Sequence, residues 1–210
     1  AVDIFLEDGY FSEEDVRILN EKAKKFNIPL KIHADEFINL EGASLACEVG
    51  ALSADHLLAI SKNGIKSLSN SNTVATLLPG TGYFLGKKQY NARALLDAGA
   101  KVSIASDFNP GSCQFYNLPF LLSLACLHSG LKTYEALPAV CWCAAKSLGI
   151  ENSQGAITKG MEANFLIHPS GSYEKWLSDM GETKASSVWI SGKVACSQNT
   201  RNLYQEPRIL

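Results

Sequence analysis

The feature that most constrains this chain is where its polar residues fall. Three short strand candidates each close on a residue able to bind a metal or move a proton. His33 follows Leu30-Lys31-Ile32, His56 follows Ser53-Ala54-Asp55, and Asp107 follows the run 101–105, Lys-Val-Ser-Ile-Ala. Each run has strand length and strand composition. Two more, Val2-Asp-Ile-Phe-Leu6 and the apolar stretch 73–78 closed by Pro79-Gly80, have the same character.

Helical spacing fills the intervals. Ser12 and Asp15 form an [ST]-x-x-[DE] start, and Val16, Leu19, Ala23 and Phe26 recur on one face until Asn27 and Pro29 end the helix. A second helical pattern covers 43–49, and a third contains Ala94, Leu95 and Ala98 and stops at Gly99. Strand–helix alternation at this spacing implies βαβ units and a parallel sheet. An open doubly wound sheet and a closed barrel both satisfy it. The chain has no G-x-G-x-x-G or P-loop phosphate motif, which counts against the open sheet. Chemistry-bearing residues at successive strand C-termini are what a TIM (β/α)8 barrel gathers at its active-site face.

The pattern changes after Asp107. Residues 118–127 are apolar almost all round, as in a buried helix. A single helix is expected over 133–148, with Pro138 bending or delaying its first turn. Beyond Gln154 come short strand-like runs at 163–167 and 187–191, with turns at 160–163 and at Gly192. The expected organisation is therefore α/β: part of a barrel over 1–153, then the C-terminal strands of a small β-sandwich module over 154–210.

A net charge of −2 leaves no electrostatic footprint for nucleic acid or an anionic membrane. No charge-free apolar run reaches the roughly 18 residues that suggest a spanning helix. The six cysteines form no C-x-x-C pair, so reduced thiols in a cytoplasmic protein are expected. The opening residues lack the basic start and cleavage site of a signal peptide and enter directly on a strand, as in a chain cut from something longer.

The chemistry is read from three motifs. In His33-Ala-Asp35-Glu36, a ring nitrogen can hold a metal and a carboxylate three residues on can move protons; the alternative is a capped loop with solvated acids. In Asp55-His56, the strand-end histidine is either functional or an ordinary satisfied side chain. In Asp107-Phe-Asn109-Pro-Gly111-Ser112, Asp107 can bind a metal or act as a base, and the polar loop can contact a substrate; the alternative is a plain Asx-turn. His128, His168, Glu7, Asp8 and the cluster Glu13-Glu14-Asp15 are assigned to structure, the acids to loops and helix starts.

Taken together, these segments resemble the amidohydrolase superfamily and, within it, the imidazolonepropionase family. The carrying residues are Val2-Asp-Ile-Phe-Leu-Glu7, Lys31-Ile-His-Ala-Asp-Glu36, Ser53-Ala-Asp-His56, Leu77-Leu-Pro-Gly80 and Ser106-Asp-Phe-Asn-Pro-Gly-Ser112. The helix residues Ala144-Ala-Lys-Ser-Leu-Gly149 and the turn Gly160-Met-Glu-Ala-Asn164 fit as well. The resemblance implies that His33 and Asp107 bind one zinc or iron ion and that Glu36 is the acid/base. It implies that His56 orients or polarises the water and carbonyl, with Asp107 also catalytic, and that Asn109, Gly111 and Ser112 bind substrate. The implied reaction is hydrolysis of 4-imidazolone-5-propanoate to N-formimidoyl-L-glutamate. The implied partner is a small molecule, with no nucleic acid or membrane, and a homodimer is the assembly considered for the full-length protein.

The family's His-x-His pair is absent among the four histidines. Counted against the family, the chain begins at about the fourth of eight barrel strands. Smaller departures are Asn164 and Cys143, where the family usually has Asp and Asn. Another hydrolase or deaminase of the superfamily, or an inactive partial chain, are the alternative readings.

Overall fold

The structure is a computed structural model that describes residues 1–87 and 90–197. Its first half runs β1 (Val2–Leu6), α1 (Glu13–Lys25), β2 (Leu30–Ala34), α2 (Gly42–Val49), β3 (Ser53–His56), α3 (Lys62–Ser69), β4 (Val74–Leu77), α4 (Pro79–Phe84), α5 (Ala92–Asp97) and β5 (Val102–Ile104). The five strands form one parallel sheet in the order β1-β2-β3-β4-β5. Each step between neighbours is a strand–helix–strand crossover, as the alternation in the sequence requires.

The register separates the two faces. Ile4, Leu6, Leu30, Ile32, Ala34, Ala54, Ala75, Leu77, Val102 and Ile104 are buried in the main core on one face. The opposite face carries Asp3, Lys31, His33, Ser53, Asp55, Thr76 and Ser103, which pair across the strands. Lys31 Nζ donates to Ser53 Oγ at 2.5 Å and lies 3.4 Å from Asp55 Oδ2, while Ser103 Oγ donates to Thr76 Oγ1 at 2.9 Å.

Two helices of this first half escaped the sequence reading, as did a later one at Tyr173–Ser178. α3 has only Ile65 and Leu68 as large apolar residues, with Gly64 between Ser61 and Ile65. Its Gly64 is explained by packing: a Cβ there would stand 2.8 Å from Ile60 Cγ1 and 3.1 Å from Ala43 Cβ, on the neighbouring α2. Ser61 Oγ caps the helix by accepting from Gly64 N. α4 opens on Pro79, which reads as a turn but is well suited to the first helical position, where its missing N–H costs nothing.

After β5 come α6 (Leu118–His128), α7 (Thr133–Val140) and α8 (Trp142–Ser147). The single helix expected over 133–148 is two helices, and the break is at Cys141 (φ −110°, ψ −87°), not in the first turn. Pro138 sits inside α7 and withholds the N–H that the carbonyl four residues back would accept. β6 (Phe165–Ile167), α9 (Tyr173–Ser178), β7 (Ser187–Ile190) and β8 (Lys193–Ser197) complete the described chain, the strands forming an antiparallel sheet in the order β6-β7-β8. α9 returns to α6, where Ser123 Oγ donates to the Leu177 carbonyl and Leu177 joins the main core. Residues 198–210 of the expected β module lie outside the described residues. Among those described, no helix is long and apolar enough to cross a membrane.

Gly155 packs against the α7–α8 break in left-handed backbone, φ +95°, where a Cβ would meet Ala145 Cβ at 2.7 Å and Cys141 O at 2.9 Å. Overpacking costs about 1–3 kcal/mol and a left-handed L-residue about 1–2 kcal/mol more. Gly155→Ala should therefore lower the unfolding free energy by about 2–5 kcal/mol, read as a lower urea midpoint at unchanged slope. An unchanged midpoint would mean that the break tolerates a side chain at this position.

Candidate metal centre

Three strand ends bring their side chains to one point. His33 lies near the end of β2, His56 closes β3, and Asp107 follows β5 by three residues. One ligand atom from each lies within 4.8 Å of the other two. The His33 and His56 rings are 4.8 Å apart, inclined at 38°. β4 runs between β3 and β5, so the Asp107 strand is not the immediate neighbour of the histidine strands. By alternation His56 falls on the helix-facing side with Ala54. The strand ends on it at φ +79°, with Leu57 following at +69°, and its ring lies beside that of His33. Asp107 is likewise left-handed, at φ +53°. Asp107 Oδ2 accepts from the hydroxyl of the fully buried Thr81, on α4, at 2.5 Å. Nothing in the sequence singled out Thr81, a hydroxyl one turn into a helix that reads as a Pro-Gly turn.

Among the described residues His56 Nδ1 is buried without a hydrogen bond, and His33 Nδ1, also buried, has only Asp3 Oδ2 2.9 Å away and out of line. Polar atoms left so in a protein interior are rare and costly. Two imidazoles and a carboxylate are also a donor set that zinc and similar borderline ions accept. The residues present therefore fit a metal ion.

Glu36 is buried beside them, with Oε1 3.5 Å from His56 Nδ1. Burial pushes its pKa up to about 7; His33 opposes the rise, and Asp107 and Glu7 add to it. His56 is pushed down to about 3, first by burial and then by the charge of His33, and so stays neutral. At His33 burial acts downward, but Asp3, Asp55 and Asp107 together outweigh it and raise the pKa.

Two acids that the sequence does not single out as site residues support the centre. Glu7, expected to be a loop acid, is buried, and its Oε1 accepts from Glu36 N at 2.7 Å and Phe37 N at 3.0 Å. Glu7 thus reaches, from just past the end of β1, two N–H groups of the turn that presents Glu36. Asp35, 1% exposed and left-handed at φ +52°, accepts from Leu40 N, Gly42 N and Ala43 N. It caps α2, whose N-cap residue, Glu41, makes no side-chain capping bond.

Asn109 is engaged at both ends of its amide. Its Oδ1 accepts from Gly111 N at 2.8 Å and Ser112 N at 2.7 Å, while Nδ2 donates to the Asp107 carbonyl and to Ser112 Oγ. Asn109, Gly111 and Ser112 thus form an Asx-type turn directly behind Asp107. His128 is exposed at the end of α6. His168 has both ring nitrogens occupied, one by the Thr183 carbonyl and one by Ser170 Oγ. A cavity of about 370 Å3 beside His168, lined by Leu137, Tyr173 and Trp176 among others, lies apart from the three strand ends.

A family model described as "Amidohydrolase family" matches residues 7–195. The imidazolonepropionase of Geobacillus sp. (strain WCH70) is 40% identical over 192 residues, covering 91% of this chain and 45% of the relative. That of Bacillus mycoides (strain KBAB4) is 38% identical over 202 residues, covering 96% and 48%. The chain thus spans about half the length of these curated relatives. Among solved structures, an adenosine deaminase from Xanthomonas campestris with bound zinc superposes with a TM-score of 0.74 at 18% identity, over 90% of this chain and 50% of that one. The guanine deaminase of E. coli does so with 0.73 at 16%, over 90% and 53%. At such identities the likeness speaks for the fold alone, which is of the TIM-barrel type. With its parallel sheet, its strand-end cluster and a family match over nearly the whole described length, the chain belongs to the amidohydrolase family.

Proposed function

We propose that this chain forms part of a metal-dependent hydrolase that opens the cyclic amide of 4-imidazolone-5-propanoate to give N-formimidoyl-L-glutamate, the reaction of an imidazolonepropionase. What carries the reading is the convergence of His33, His56 and Asp107 with the buried carboxyl of Glu36 beside them. Likeness to imidazolonepropionases at about 40% identity narrows the substrate. In this reading residues 1–153 supply strands four to eight of an eight-stranded barrel, and 154–210 the C-terminal strands of a β-sandwich module. The protein is placed in the cytoplasm as an enzyme of histidine breakdown.

His33 and Asp107 would hold one zinc or iron ion, with His56 facing the same point. Bound there, such an ion supplies Lewis acidity and makes water a stronger acid. Glu36 takes the proton from the attacking water and delivers it to the ring nitrogen as the amide C–N bond breaks. The water oxygen becomes part of the new carboxylate, so one water is consumed per ring opened. His56, neutral and buried beside Glu36, orients the water and the substrate carbonyl. Glu7 fixes the turn from which Glu36 reaches the centre. Asp107 adds a base to its ligand role, and the loop of Asn109, Gly111 and Ser112 borders the substrate.

Glu36→Gln, made in the full-length protein, should keep its metal through dialysis and lose about 10²–10⁴ in turnover, because an amide cannot carry the proton. Near-normal loss of the imidazolone absorbance by this variant would overturn the assignment. A second test addresses Glu7. A buried N–H left unpaired costs about 1–3 kcal/mol, so Glu7→Ala should speed amide exchange at Glu36 and Phe37 by about 10- to 100-fold. Glu7→Gln, which keeps an oxygen acceptor, should retain most of the protection. Equal exchange in all three proteins would show that another contact holds the turn.

A further inference from the structure

We infer that Asp3 is a positioning residue that holds the His33 imidazole with its proton on Nδ1, leaving Nε2 as the nitrogen offered to the metal. The inference rests on reading His33, His56 and Asp107 as a metal centre. β1 and β2 pair Asp3 with Lys31 and Phe5 with His33, so Asp3 and His33 share the polar face of the sheet, two residues apart in register. Asp3 Oδ2 comes within 2.9 Å of His33 Nδ1. At that distance the oxygen lies off the N–H axis, so proximity and not an aligned hydrogen bond joins the two groups. Nδ1 is otherwise buried without a hydrogen-bond partner among the described residues. The Phe5 ring meets the imidazole edge-on, with centroids 5.4 Å apart and planes at 72°.

A neutral imidazole has one N–H and one lone pair. Whichever nitrogen faces a carboxylate keeps the proton, and the other is left to coordinate. Metal-bound histidines characteristically donate their remaining N–H to a carboxylate or carbonyl, which fixes both tautomer and ring orientation. Asp3 provides that carboxylate from the first strand of the described sheet. The second histidine differs: its Nδ1 faces Glu36, at 3.5 Å. Since Glu36 is the proposed proton carrier, His33 is the imidazole with an acid free to serve orientation alone. The Asp3 side chain is 46% exposed, so replacing it opens no cavity in the core.

The test uses full-length protein labelled with 15N-histidine, stripped with a chelator and held at a pH where His33 is neutral. Long-range 1H–15N correlations distinguish the two tautomers, and His33→Gln identifies the His33 signals. The wild type should show His33 protonated on Nδ1. Asp3→Ala should shift it to the Nε2-protonated form that free imidazole prefers in water. Zinc affinity, from competition with a chromophoric chelator, should weaken by about 10- to 100-fold in Asp3→Ala. Asp3→Asn keeps an oxygen acceptor without the charge, so it should keep the Nδ1 proton and most of the affinity. An Nε2-protonated His33 in the wild type would overturn the proposal. So would an Asp3→Ala protein with unchanged tautomer and affinity. A wild type that binds no zinc would refute the metal centre instead, while the tautomer measurement still decides the hold of Asp3 on His33.

Discussion

Everything at the candidate centre depends on how the parallel strands end. The chain leaves β2 through Asp35 at φ +52° and β3 through His56 and Leu57 at +79° and +69°, and it passes Asp107 at +53° after β5. Each such residue with a Cβ costs of order 1–3 kcal/mol unless its surroundings over-determine it. The surroundings here do so with hydrogen bonds between neighbouring ends. Leu57 N donates to the Ala34 carbonyl at 3.1 Å and Ala59 N to that of Asp35 at 2.7 Å. The Asn109 side chain reaches back to the Asp107 carbonyl at 2.7 Å. Breaking the strand geometry in this way lets His56, which alternation would send toward the helices, lie against His33 instead.

The acids near these ends divide by what they face. Glu7 and Asp35 have carboxylates filled by backbone N–H groups, two in one case and three in the other, and so serve as fixed parts of the scaffold. Glu36 and Asp107 face the histidines. The division follows from geometry, not residue type: Asp35 and Glu36 are adjacent in sequence, yet one turns under α2 and the other over the centre. A carboxyl buried without N–H donors favours its protonated form, which is why Glu36 is raised; a buried imidazole beside a charged neighbour favours its neutral form, which is why His56 is lowered.

Much of this was legible in the sequence. The five strands show because one face alternates apolar residues cleanly, and the C-terminal positions of His33, His56 and Asp107 follow from where those runs stop. The rest depends on contacts that no local pattern encodes. α3 holds too few large apolar residues for a period to emerge, and its Gly64 looks like a helix breaker until Ala43 is seen against it. The break at Cys141 comes three residues after the proline that suggested one. Glu7 serves a turn 29 residues away, and Thr81 reaches an aspartate 26 residues on. Both partnerships exist only because neighbouring strands end at the same level of the sheet.

The polar face of the sheet bears on why a cation suits this centre. Parallel sheets are ordinarily apolar on both faces, yet Asp3, Lys31, His33, Ser53, Asp55, Thr76 and Ser103 all lie on one. Such a face is stable only if its groups satisfy one another, and several do: Lys31 with Ser53 and Asp55, and Thr76 with Ser103, while Asp3 stands 2.9 Å from His33 Nδ1 without an aligned hydrogen bond. The balance of charge is uneven, however. Asp3, Asp55, Asp107 and Glu36 gather around His33 and Lys31, and Asp55 Oδ1 is buried with no donor among the described residues. Asp107 and Glu7 both push Glu36 toward its protonated form, the mark of an excess of negative charge. His33 is held above its usual pKa by the same excess. In the low dielectric of a protein interior that repulsion is stronger than in water. With a divalent ion seated among His33, His56 and Asp107, the carboxylates that now repel one another would share an attraction. The acids of this face are therefore better matched to a bound cation than to one another.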